Sequence, residues 1–262
     1  MNQNNSLDNL DFEAVLQAEA ITHENWRAGG IVFDELKRSE EALEDLGIAY
    51  MSRIVGDRRE NIELAISYLM AALRILTETD FPAYWARIQS YLGNAYIDRI
   101  EGNKRENIET AIAYYTSALR VYTEADFPTY WIRTRNRLGV AYWSRIEGDR
   151  RENIETAIAY STHALRVFTE ADFPIDWALT QHYLGVAYWS RIEGNRRENI
   201  ETAIAYSTHA LKVFTEADFP TYWAIIQNNL GIAYIDRIEG NRRENIETAI
   251  AYFMAALRVF TE

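Results

Sequence analysis

The side chains in this chain that could do chemistry are few in kind and far apart. His23, His163, His182 and His209 are too dispersed for a metal site, and His163 and His209, 46 residues apart, have no second ligand close by in sequence. Serine, histidine and aspartate all occur. No strand-turn-helix nucleophile motif, pair of catalytic carboxylates or glycine-rich phosphate loop accompanies them. There is no cysteine, so disulfides, thiolate zinc sites and a cysteine nucleophile are excluded together. The chemistry to expect is recognition rather than catalysis, with no cofactor and no metal. One basic cluster stands out, Arg133, Arg135 and Arg137. Alternate residues on a helix splay apart, so at most two of these share a face. A contact to an acidic peptide and a solvated face paired with nearby glutamates both fit it.

Charge narrows the partners. The formal net charge is -12, and residues 1–59 contribute -6 of it, while the 46 residues from Glu106 are net +1. An acidic chain without a basic stripe is not built for nucleic acid, whose phosphates need clustered Lys and Arg. The same balance disfavours anionic membranes. Met1 to Asn9 is polar, unlike a signal peptide, and no apolar run approaches the roughly 18 residues needed to span a bilayer. The expected setting is the cytoplasm, with a protein or peptide as partner.

The elements that must position these residues recur. Glu-Asn-Ile-Glu begins at Glu60, Glu106, Glu152, Glu198 and Glu244, and Leu-Gly-x-Ala-Tyr begins at Leu46, Leu92, Leu138, Leu184 and Leu230, always 46 residues apart. Such a period signifies a solenoid, in which each unit packs only on its neighbours. Each period reads as two helices. The first opens at Pro82, Pro128, Pro174 or Pro220, since Pro loses nothing at a first helical turn, and is expected to stop at Gly102, Gly148, Gly194 or Gly240. The second is expected to start at an N-cap near Asn107, Asn153, Asn199 or Asn245. Short turns force antiparallel neighbours. The predicted fold is all-α, with five helix pairs over residues 31–262. Residues 1–30 are expected to form a tail and a capping helix from Leu10 to about Trp26.

Leu92-Gly93-x-x-Tyr96, followed by Ala111, Tyr115 and Ala118, resembles the tetratricopeptide repeat. The usual unit is about 34 residues, so six or so extra residues sit between Tyr96 and Ala111 and as many between Ala118 and Leu138. The usual Trp of the first helix is replaced by Gln89, Arg135, Gln181 and Gln227, with Trp85 and its equivalents one turn earlier. In its repeat length the chain resembles the long-repeat bacterial tetratricopeptide arrays that often precede caspase-like or nucleotide-binding signalling domains. The resemblance covers about residues 32–262 and implies a right-handed superhelix whose first helices line a concave groove.

It also implies which residues face that groove, namely those two and five positions either side of the repeat leucine. These are Arg87, Ser90, Asn94 and Ile97, then Arg133, Asn136, Val140 and Trp143. Next come Leu179, His182, Val186 and Trp189, and finally Ile225, Asn228, Ile232 and Ile235. Trp143 and Trp189 are the natural anchors for a partner peptide or helix, with its acidic side chains near Arg87 and Arg133. Residues 138–174 and 184–220 differ only at Asp149/Asn195 and Arg166/Lys212. Trp189 can therefore equally be a copy of Trp143, and either can pack against a neighbouring repeat. The expected function is a protein-interaction scaffold, the sensor or adaptor part of a larger signalling protein. The alternative is self-assembly through the last helix, whose Phe253, Met254, Leu257 and Phe260 lack a covering element, as if another repeat or an effector domain were to follow.

Overall fold

The computed structural model describes residues 43–53 and 55–261. The expected capping helix and the start of the first repeat lie outside them. Among the described residues there are ten helices and no strand. In chain order α1 covers 43–52, and α2 is Arg58–Leu73, α3 Pro82–Asp98, α4 Lys104–Val121 and α5 Pro128–Ser144. Then come α6 Arg150–Ala164, α7 Pro174–Ser190, α8 Arg196–Ala210, α9 Pro220–Asp236 and α10 Arg242–Thr261. Odd-numbered helices are the first (A) helix of a repeat and even-numbered ones the second (B). α4, α6, α8 and α10 each pack on the A helix of their own repeat, and α2, α4, α6 and α8 on that of the next. Consecutive A helices from α3 onward also touch, whereas consecutive B helices do not. A stack whose A helices touch while its B helices stay apart curves around the A side, so the A helices line the inner face of a helical solenoid.

Local chemistry explains each boundary. Pro82, Pro128, Pro174 and Pro220 open the A helices at the first turn, where the missing N–H leaves no bond unmade. Before each lies a reciprocal turn. Thr123 Oγ1 donates to Asp126 Oδ2 at 2.7 Å while the Asp126 N–H donates back at 3.1 Å, and the same pair recurs at Thr77, Thr169 and Thr215. The B helices begin four residues earlier than expected. Their caps are Asp57, Asn103, Asp149 and Asn195, whose side chains accept from the backbone two residues on.

The asparagines expected as caps do another job. Asn107, Asn153, Asn199 and Asn245 are buried, and each Nδ2 donates to the carbonyl of Glu101, Glu147, Glu193 or Glu239 at 2.7–2.8 Å. They pin the A-to-B turn from inside. The glycines differ in a related way. Gly102, Gly148, Gly194 and Gly240 have the expected positive φ, between +76° and +77°, but lie within that turn. The helix itself ends sooner, at an extended Arg99, Arg145, Arg191 or Arg237.

Those arginines stitch the repeats together. Each forms a two-pronged bond with a glutamate of the preceding B helix: Arg99 with Glu63, Arg145 with Glu109, Arg191 with Glu155 and Arg237 with Glu201, at 2.7–2.9 Å. The basic residue opening each B helix reaches back to the last turn of its A helix. Arg150 donates to the Trp143 carbonyl and Arg196 to that of Trp189, placing positive charge where the helix dipole is negative.

Within a repeat the two helices meet at the glycine after the repeat leucine. A Cβ on Gly93 would lie 2.5 Å from the Tyr115 ring, and one on Gly231 would lie 2.7 Å from Phe253. Tyr115 is fully buried, so its ring cannot move aside. Gly93→Ala is therefore expected to destabilise the array by about 1–3 kcal/mol through overpacking. Gly139→Ala, whose nearest neighbour would be Tyr160 Cβ at 3.1 Å, is expected to cost less. Urea unfolding of the two variants side by side checks the order.

Candidate functional site

An A helix repeats its inner face at spacings of three and four residues. On α5 that stripe runs through Tyr130, Arg133, Arg137, Val140 and Ser144, each partly or fully exposed. On α3 the equivalents are Tyr84, Arg87, Tyr91, Asn94 and Asp98, and on α7 they are Asp176, Leu179, Tyr183, Val186 and Ser190. The positions two residues before the repeat leucine fall off this stripe, and at two of them the side chain contacts the neighbouring A helix. Ser90 meets Thr134 at 3.2 Å, and Asn136, which is buried, donates to Thr180 at 2.8 Å and accepts from Ser161 at 2.9 Å. Asn228 is half-buried at the same position on α9. Asn94 lies on the stripe, where its Oδ1 accepts from the Tyr115 hydroxyl at 2.7 Å.

Two of the expected anion contacts already have carboxylates. Arg87 pairs with the buried Glu44 at 2.6 Å, across to α1. Arg133 grips Asp176 with both prongs at 2.8 and 2.6 Å, across to α7. Arg135 stands away from both, its guanidinium 4.8 Å from the ring centres of Trp131 and Tyr160. Arg137 is different. Among the described residues no carboxylate lies within 4 Å of it, and its one hydrogen bond is from Nη1 to the Tyr183 hydroxyl at 3.2 Å. The ionisable groups around it are Tyr183, Tyr115, Tyr222 and, more remotely, Asp98. Burial pushes the Tyr183 phenol up, so at neutral pH it keeps its proton.

Trp143 and Trp189 are both half-buried. Trp143 packs on the cluster of Ile154, Ile158, Leu184 and Ala187, and its indole N–H donates to Ser190 at 3.1 Å. Trp189 donates to Asp236 at 3.0 Å, and Asp236 also pairs with Arg196 at 3.0 Å. Each tryptophan thus reaches the next repeat, although residues around the two are nearly identical. Trp143 also borders a cavity. A hollow of about 220 Å³ is lined by Gly139, Val140, Trp143, Ala157, Ser161, His182, Tyr183, Val186, Ala187 and Asn229. Four residues expected to face a groove, Val140, Trp143, His182 and Val186, meet there. A second hollow, at Tyr84, Arg87, Tyr122 and Tyr130, has the already paired Arg87 as its cation.

The cavity and Arg137 adjoin through Tyr183, which belongs to both. Sequence reasoning named Arg137 only as one of three arginines and passed over its position, one residue before the repeat leucine. The signal was available, because Arg133, Arg137 and Val140 follow the helical spacing of a single face. Among the described residues no group of three or more His, Asp or Glu side chains could hold a metal ion. No helix among them is long and apolar enough to cross a membrane. No family model matches the chain, and no curated protein is significantly similar to it.

His182 carries a pH consequence. It is buried, its Nδ1 has no hydrogen-bond partner, and burial pushes the imidazole down to about 4. Between its ordinary pKa of about 6.5 and this value the unfolded chain holds the proton that the folded one refuses, so folding stability falls as pH drops through that window. The contribution is at most about 3 kcal/mol. His182→Asn, with the side chain found at Asn136 and Asn228, is expected to unfold less steeply with acid over that window. Urea titrations of both proteins from neutral pH to about 4 check it.

Proposed function

We propose that the chain is a tetratricopeptide-type interaction array that holds a peptide or helix of a protein partner along the inner stripe of α3, α5, α7 and α9. The reading adds that it is the sensor or adaptor part of a larger signalling protein. The observation that carries the proposal is Arg137. Every other arginine on the stripe among the described residues has a carboxylate from the neighbouring repeat in contact with it, whereas this one lies among phenols with Asp98 acting on it only from beyond contact distance. A guanidinium is charged at any working pH, and a carboxylate brought to it gains a charge-assisted bond worth about 1.5–3 kcal/mol. The adjoining apolar wall of Val140, Trp143 and Val186 gives the partner's aliphatic or aromatic groups a place beside that contact. The partner is thus an amphipathic segment whose acidic residue meets Arg137.

The test uses a blocked peptide alternating leucine and glutamate. Arg137→Gln is expected to weaken its binding about tenfold and to flatten the dependence of affinity on salt, with far-UV circular dichroism unchanged. An Arg137→Gln protein that binds this peptide as tightly as the parent would end the proposal.

A second reading, self-association, is favoured by the outer face of α10. Phe168 and Phe214 are fully buried under the following A helix, yet Phe260 at the same repeat position is 57% exposed, beside Met254 at 65%. That face has the shape that receives an A helix elsewhere in the array. If it binds another copy, light scattering is expected to show mass rising with concentration, and Phe260→Ser to abolish the rise.

A further inference from the structure

The cavity at the third repeat opens where no side chain fills the space between its two helices: the Ser161 hydroxyl would lie 3.6 Å from a Cβ on Gly139, against 2.4 Å for Ser207 and Gly185 in the fourth repeat. The residue of the B helix that faces the repeat glycine is Leu69, Tyr115, Ser161, Ser207 and Phe253 in successive repeats. Leu69 lies against Gly47, Tyr115 against Gly93 and Phe253 against Gly231, each within 3 Å of where a Cβ would be. In the second and fifth repeats an aromatic ring therefore occupies the space between the two helices. In the third repeat Ser161 is too short to do so, and its hydroxyl turns to Asn136 instead. The unfilled space is the hollow bounded by Gly139, Ala157 and Ser161 below and by Val140, Trp143 and Val186 at its sides. Its volume of about 220 Å³ exceeds the ~150 Å³ of an apolar cavity that holds a benzene ring.

A second observation also points to a ligand. His182, which borders the hollow, has a buried Nδ1 without any hydrogen-bond partner. Leaving such an atom unsatisfied costs free energy, and a polar group delivered into the hollow with a ligand could relieve it. Tyr183, at the same rim, is the residue that holds Arg137.

We infer that this hollow receives an aromatic side chain of the bound partner, in the place that Tyr115 and Phe253 fill from within the chain in other repeats. The inference rests on the interaction reading above and makes it specific: the partner segment carries a phenylalanine- or tyrosine-sized ring next to the acidic residue that meets Arg137. The shape argument comes from the protein itself, since two of its own repeats show which kind of side chain belongs between these helices. The fifth repeat shows further that a ring is compatible with asparagine and a branched aliphatic beside it, for Asn228 and Ile232 stand where the third repeat has Asn136 and Val140.

The experiment titrates the full chain with the blocked tripeptides Ala-Phe-Ala and Ala-Ala-Ala, reading the indole N–H resonance of Trp143. The phenylalanine peptide is expected to shift it saturably and to bind at least about tenfold more tightly than the alanine peptide. Ser161→Phe, which builds the ring into the chain, is expected to abolish that preference while raising or preserving the melting temperature. Ser161→Ala, which keeps the space open, is expected to retain it. Should Ser161→Phe fail to fold, Ser161→Leu fills part of the space and is expected to reduce the preference several-fold. Equal binding of the two peptides, or a filled variant that still prefers phenylalanine, overturns the inference. Dependence of the acidic peptide on Arg137, measured on the same samples, tells the two readings apart. If it persists while the aromatic preference is missing, only the hollow is lost, and if both are missing the groove itself is.

Discussion

The distance between the two helices of a repeat is set by a glycine. At Gly93 and Gly231 a single added carbon would overlap an aromatic ring, and at Gly185 it would overlap the Ser207 hydroxyl at 2.4 Å. That close approach lets the repeat leucine and its flanking alanines disappear completely from solvent: Leu92, Leu184, Leu230, Ala95, Ala111 and Ala118 are all essentially inaccessible. The core of a solenoid is thin, so its stability comes from many such short-range contacts repeated along the chain. A repeat whose helices stood further apart would also misplace its successor, because each B helix is shared with the next A helix.

Electrostatics divides the residues into those that hold the array and those left over. The forks from Arg99, Arg145, Arg191 and Arg237 to the preceding glutamates recur unchanged, and a two-pronged guanidinium–carboxylate contact fixes orientation as well as distance. Their energy is modest, since both partners remain partly exposed. Their value lies in setting the angle between repeats. Arg105 with Glu147 and Arg151 with Glu193 do the same at the outer turns. Against that background a cation with no carboxylate is informative, because nothing in the repeat geometry requires it. Arg137 occupies the position held by Asp45, Tyr91, Tyr183 and Asn229 in the other repeats. It is the substitution, not the repeat, that made the charge.

How much of this could be read in the sequence depended on whether a feature is local. The period and the prolines at the A helices are properties of short stretches and stand where the pattern puts them, and the glycines take the expected positive φ, although the helix ends at a C-cap three residues before them. The B-helix starts were misplaced because Asn107 looks like a cap on its own. The competing pair, Asn103 with Glu106 three residues later, carried the capping-box spacing, and it is Asn103 that caps. Asn107 is held one turn inside by a turn carbonyl, a contact that no local rule reveals. The inner-face residues were half legible. Val140, Trp143, His182 and Val186 share one hollow, whereas Ser90 and Asn136, two before their leucines, are spent on the neighbouring A helix. Which flank of an A helix meets its neighbour is decided by the stacking of repeats, and stacking is not written within any one of them.

The same point explains why the nearly identical third and fourth repeats are not equivalent. Trp143 finds Ser190 across the interface and Trp189 finds Asp236, because the residue that answers each tryptophan belongs to the repeat after it. Asn136 satisfies itself between Ser161 and Thr180, while His182, at the same position one repeat on, has an Nδ1 that satisfies nothing. The hollow likewise has its floor in the third repeat and a wall in the fourth, with Asn229 of the fifth at its edge. A site in such an array is a property of an ordered set of neighbouring repeats. Duplicating a unit therefore copies its half of a surface and pairs that half with something new, so that even a faithful duplication creates one interface that did not exist before.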